Sequence, residues 1–201
     1  MNYLRKLGLL AMASMALWLI GGSAASATEL YKYTAPNPND TLGAGTSIKG
    51  SLKAGTSLLR KETTGLITDT CTSWGLEGTI ASAGGEISHP VIGLSSMNIG
   101  GCVNAMKFLK PGELEVRHIT GTTNGEVYLK NAEVTWVDTG SLIDCVAKIE
   151  AATYFGRLTG SSGSTSLDVN WMLPAVGFCG DRKVEGTLSI TSPTGLVVEA
   201  K

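Results

Sequence analysis

Two histidines, two matched glutamates, four cysteines and the three tryptophans that follow residue 27 are the side chains here that chemistry could use. His118 ends "ELEVRH", where Leu114, Val116 and His118 share one face of an alternating run. A Ser-His-Asp triad would need that imidazole beside an activated serine, and no GxSxG elbow presents one, so His118 reads as a satisfied or edge histidine. His89, in "ISHPVIG", precedes a proline that biases it to extended backbone, and reads as a turn or edge strand. Glu77 in "CTSWGLEGTI" and Glu185 in "CGDRKVEGTL" hold matching places in a ten-residue repeat that shares Cys, Glu, Gly and Thr. Facing each other they would make the acid and base of a glycosidase; both fall on the polar side of their strands, which favours solvated charge. "NPND", residues 37–40, offers oxygens to calcium but lacks the ladder of alternate acidic ligands, and Asn39-Asp40-Thr41 fits a glycosylation sequon. No catalytic, cofactor or metal site is expected. Trp74, in the polar stretch "CTSWG", is the candidate ligand contact, with packing against a disulfide as the alternative. Trp136 and Trp171 alternate with apolar residues and belong in a core.

The cysteines depend on compartment. The chain opens with Arg5 and Lys6, an apolar run from Leu7 to Ile20 and small residues ending in Ala25-Ser26-Ala27, the three-part layout of a signal peptide over residues 1–27. The run falls short of the roughly 20 residues that span a bilayer, and no cysteine follows it to carry a lipid. The expected mature chain starts at Thr28 and keeps 174 of the 201 residues, enough for one domain. It is expected to be secreted, extracellular or periplasmic, with no membrane span after cleavage. There Cys71, Cys102, Cys145 and Cys179 should be oxidised. A zinc site has no CxxC pair to build on. Of three pairings, the sequence-neighbour one, Cys71–Cys102 with Cys145–Cys179, is favoured; each loop of about 30 residues would contribute on the order of 3 to 4 kcal/mol.

Without Arg5 and Lys6 the 16 basic residues become 14 against 17 acidic ones, a formal net charge of −3. That balance excludes nucleic acid and gives no attraction to an anionic membrane. Only 16% of residues are charged and 26 are glycine, the profile of an exported all-β protein. Alternation supports this: Leu167, Val169, Trp171 and Leu173 share a face, as do Val184, Gly186, Leu188 and Ile190. Asn124-Gly125 marks a tight hairpin, and no amphipathic helix stands out after residue 27. The expectation is an all-β domain over residues 46–201, an antiparallel β-sandwich (Ig-like or jelly-roll-like) of about ten strands preferred to a closed barrel. Residues 28–45 read as an extended N-terminal arm. Gly78 and Gly186 lie on inward faces, where a missing side chain admits a neighbour.

The blocks "GTSIKGSLKAGTS", "DTC", "GGC", "LKPGELEVRHITGTTNGEV", "AEVT", "LTGSSGSTSLDVN" and "SPTGLVVEA" resemble, in order, spacing and all four cysteines, an abundant group of uncharacterised secreted bacterial β-proteins over roughly residues 45–201. The segment after Cys145, "VAKIEAATYFG", lacks that group's glycine-rich loop. The resemblance implies a secreted single domain of sandwich type and no transferable activity. A fainter likeness, in cysteine placement and the last Cys-to-Gly-Thr strand, is to exported proteins labelled activators of alkane oxidation, which suggests help with hydrophobic substrates at the cell surface. The functional expectation is a non-enzymatic structural or interaction protein of the cell exterior, whose partner is unknown. It includes self-assembly by strand addition through Leu30–Thr34 or Leu196–Glu199. The alternative is a binding module for glycan or hydrophobic small molecules, with an aromatic platform at Trp74 or an apolar pocket. A hydrolase built on two carboxylates, or on His118 with a serine, is a third reading.

Overall fold

Period-two alternation becomes strands throughout the computed structural model, which describes residues 28–34, 37–85, 88–137 and 143–200. The signal-peptide reading of residues 1–27 lies outside the described residues. The described residues form no helix. In chain order the strands are β1 (Thr28–Thr34), β2 (Asn37–Thr41), β3 (Ser47–Leu52), β4 (Leu58–Glu62), β5 (Ile67–Cys71), β6 (Ser73–Ser82), β7 (Gly84–Gly85), β8 (Val91–Gly100) and β9 (Met106–Lys110), continuing through β10 (Glu113–His118), β11 (Gly125–Lys130), β12 (Ala132–Val137), β13 (Asp144–Ile149), β14 (Thr153–Ser161), β15 (Ser164–Leu173), β16 (Arg182–Ser192) and β17 (Leu196–Ala200).

The expected sandwich gives way to a barrel. Strands β15, β14, β11, β10, β8, β6, β3 and β16 pair in that order, and β15 pairs with β16 to close the ring. The closing seam runs antiparallel from Ser166 opposite Ser189 to Leu173 opposite Arg182. Alternating inward and outward residues serve a sandwich and a barrel equally; only the meeting of first and last strands separates them, and closure removes exposed edges. Bulges in β6, between Glu77 and Gly78 and between Ile80 and Ser82, bend it around the ring. A Cβ on Gly78 would stand 2.5 Å from the Gly93 carbonyl oxygen, so the glycine of the first repeat copy admits the neighbouring strand. In the second copy, Gly186 lies against Leu58.

Eight strands leave an interior that side chains can just fill. Ile48, Leu76, Leu114, Val127, Leu167 and Ile190 point inward and leave an apolar cavity of ≈ 20 Å³. One end of the barrel is closed by β17, β1 and β2. Residues 28–45, read as an arm, are thus largely strand: β1 lies along β17 from Thr28 opposite Ala200 to Lys32 opposite Leu196, with Leu30 wholly buried. The other end is closed by the three-stranded sheet β13-β12-β9 and by the ribbon β4–β5, which branches from β16. Between barrel and small sheet lies an aromatic core, with Phe108 stacked on Trp171 at 5.8 Å and Phe155 tilted against it at 5.5 Å. The disulfides join Cys71 to Cys102 and Cys145 to Cys179, both at this aromatic end.

Candidate interaction surface

The residues singled out for chemistry are scattered. Both histidines sit at the β1–β17 end, where they meet across one hydroxyl: Thr28 Oγ1 lies 3.3 Å from His89 Nδ1 and accepts the His118 backbone N–H at 3.2 Å. His118 Nε2 is 2.7 Å from the Thr122 carbonyl. Thr28 is fully buried, so this contact closes a seam and presents no nucleophile to solvent.

Glu77 and Glu185 do not face each other. Glu77 is bound by Lys49 at 3.1 Å; Glu185 is bound by Lys61 and by Lys183 at 2.6 Å. Lys49 is in register with Glu77 on one side and Ser192 on the other, and Glu185 lies seven residues from Ser192 along β16. At about 3.3 Å per residue that is about 23 Å, well beyond the roughly 5–10 Å of a glycosidase pair. Hydrogen bonds from Lys183 and then Lys61 hold the Glu185 carboxyl below its ordinary pKa, the wrong direction for a general acid. "NPND" lies in the strand β2 rather than a ligand loop.

Trp74 is 3% exposed and packs edge-on to Phe155 with centroids 6.0 Å apart. Its ring offers no platform, and Trp136 and Trp171 are buried with it. Three open hollows on the outer surface, of ≈ 360 to 400 Å³, have no aromatic side chain in their walls.

What the structure does gather lies at the disulfide end. Phe178 is 97% exposed, Val103 88% and Leu66 64%, the three most exposed large hydrophobic residues among those described, and Ile67 and Ile143 join them. Phe178 sits at the tip of a two-residue turn. Val176 N–H donates to the Cys179 carbonyl and Cys179 N–H to the Val176 carbonyl, both at 3.0 Å. Gly177, at φ +61°, supplies the positive angle that a II′ turn needs in its first position. The Cys179–Cys145 bond ties the turn to β13, and the Ala175 N–H donates to Asp181 Oδ1 at 2.6 Å.

Val103 is held by a second clamp. Asp69 Oδ1 accepts the N–H groups of Thr70 at 2.8 Å and Val103 at 3.0 Å. Its Oδ2 accepts from Asn104 N–H at 2.9 Å and Arg60 at 3.3 Å. The side chains of Arg60 and Asp69 are 3% and 1% exposed, a buried ion pair. Asp69, Cys71 and Cys102 bring potential ligand atoms within 4.8 Å of one another. The two sulfurs are bonded to each other and the carboxylate is filled by four donors, so the group is a clamp with no thiolate for a metal.

The rung Met106–Trp136–Cys145 across β9, β12 and β13 puts Cys145, the partner of Cys179, two strand spacings from Met106, about 10 Å, and Met106 follows Cys102 by four residues. Leu66 is next to Glu62, whose N–H donates to its carbonyl at 2.9 Å, and Glu62 faces Arg182 just beyond the Phe178 loop. Residues 100–105 and 174–180 contain no charged side chain. Beside these turns and Leu66 along the chain stand Lys61, Lys107, Arg182 and Lys183 with Glu62, Asp144 and Asp181, and Glu185 pairs with Lys61 and Lys183 to make the count even. Nothing in the chemistry of single residues marks this pole; its signal in sequence is a pair of charge-free turns, each built around a cysteine. Comparison of the chain with protein-family models, with curated proteins and with solved structures found no match.

Proposed function

We propose that the protein acts outside the cytoplasm, in the periplasm or beyond the cell, as a non-enzymatic interaction protein, and that the stapled apolar pole is its contact surface. One observation carries this reading: the three most exposed large hydrophobic side chains lie on turns at the disulfide end of the barrel, Phe178 and Val103 on turns locked by disulfides and a buried ion pair and Leu66 on the β4–β5 turn closed by backbone hydrogen bonds to Glu62. Clustered exposed apolar side chains mark contact sites, and an aromatic fixed on a rigid turn is pre-organised to bind. Export is supported by the signal-peptide reading and the two disulfides. None of the described helices is long and apolar enough to cross a membrane, there being none. The likeness to secreted bacterial two-disulfide β-proteins points the same way. The glycan reading loses its platform with Trp74 buried, and the apolar-ligand reading has ≈ 20 Å³ to work with where such sites need about 300 Å³ or more.

The test is binding of fluorescently labelled protein to the surface of the cells that make it. Phe178→Ser should lower cell binding about tenfold or more, the value of one buried aromatic, with the unfolding midpoint unchanged. Equal binding by both forms refutes the reading.

A further inference from the structure

We propose that the stapled pole seats in a lipid surface, and in an electrically neutral one. This rests on the pole being the contact surface and says what it contacts. Four features single out lipid.

The first is the backbone. A loop entering apolar surroundings must bring its own hydrogen-bond partners. The amides of Val103 and Asn104 are taken up by Asp69, that of Ala175 by Asp181, those of Val176 and Cys179 by each other's carbonyls, and that of Gly65 by Glu62. A loop meant to pair with an extended peptide would instead leave such groups open to its partner. Second, residues 100–105 and 176–180, the tips that carry Val103 and Phe178, hold no charged residue, and Asp181, which caps Ala175, stands at the base of its turn, so no ion has to leave water as the tips enter.

The third feature is shape. Phe178, Val103 and Leu66 stand on three separate turn tips and project from the fold as knobs. A fluid surface closes around knobs without matching them. A protein partner has to bury roughly 800 Å² on each side in a complementary face, more than three side-chain tips offer. The fourth is charge. The four cations and four carboxylates around the turns cancel, so nothing draws the pole to anionic headgroups. Insertion would then be shallow, with Phe178 and Val103 at the level of the headgroup and upper acyl region, and the barrel outside.

Sedimentation with sucrose-loaded vesicles tests this, using phosphatidylcholine alone and phosphatidylcholine mixed with phosphatidylglycerol, at low and high salt. The protein should pellet with both, equally at both salt concentrations. Phe178→Ser should weaken partitioning about 10-fold to 100-fold, Val103→Ser should weaken it less, and Phe178→Trp should retain it. The unfolding midpoint of each variant reports that the fold is intact. Failure to pellet with phosphatidylcholine overturns the proposal, as does binding confined to the anionic vesicles and lost in salt. Light scattering without vesicles provides a further arm: a dimer that disappears in Phe178→Ser means that a second copy covers the pole, and the lipid is overturned. If vesicles fail while Phe178-dependent binding to cells persists, lipid is overturned and the contact surface stands; if both fail, both readings fall.

Discussion

Replacing Asp69 by asparagine should unfold the disulfide end more than any surface change of the same size. Asp69 is buried, accepts from Arg60 and from the amides of Thr70, Val103 and Asn104, and so joins β4, β5 and the Val103 loop at one carboxylate. Asparagine keeps the shape, but turns an N–H₂ toward donors and takes away the charge that compensates Arg60. Removing one partner of a buried pair costs about 3 to 5 kcal/mol, and the neighbouring Cys71–Cys102 bond does not offset it, since that bond acts mainly on the unfolded chain. For a domain of this length about 3 kcal/mol lowers the midpoint by about 6 to 12 °C. Equilibrium urea unfolding followed by circular dichroism, with both disulfides intact, measures the loss directly. The slope should stay constant, so that the change lies in stability and not in the surface exposed. A double replacement, Arg60→Met with Asp69→Leu, should recover much of the loss, because apolar pairs substitute for buried ions at little cost. An Asp69→Asn protein within about 1 kcal/mol of the parent would mean that the carboxylate is not the clamp inferred from its four donors.

Two further outcomes test the fold and its electrostatics. Lys183 and Lys61 depress the Glu185 pKa in the folded state, so its contribution is complete above the unfolded value of about 4.3 and is lost as pH falls through the depressed folded value. Glu185→Gln should therefore be less stable than the parent at neutral pH and approach it as the medium is acidified below pH 4; a constant gap in midpoint across that range refutes the assignment. Gly78→Ala would place a methyl 2.5 Å from the Gly93 carbonyl, backbone that cannot move aside, whereas at Gly75 the nearest atom is 3.8 Å away. Gly78→Ala should cost about 1 to 3 kcal/mol and Gly75→Ala almost nothing, and equal midpoints for the two variants would contradict the close approach of β6 and β8.

Where local periodicity governs, sequence and structure coincide: the runs around Trp171 and Leu188 are strands with those residues inside. The barrel was hidden because closure depends on a pairing between β15 and β16 that leaves the inward–outward alternation of each strand unchanged. Trp74 stayed open between surface and packing because Thr72 and Ser73 look like a turn, yet β6 begins at Ser73 and carries Trp74, Leu76, Gly78 and Ile80 on its inner face. Leu30 has few apolar neighbours in its own segment and is buried by β17, far along the chain. Phe178 is the instructive case. In "LPAVGFC" it stands in an apolar run and would count toward a core. The II′ turn at Gly177-Phe178 reverses the chain there, and the bond to Cys145 draws Cys179 inward, so the residue before it has only the outward direction left. The same covalent tie that stabilises the fold thus fixes an aromatic ring in water, and the energetic cost of leaving it there is what a contact surface recovers on binding.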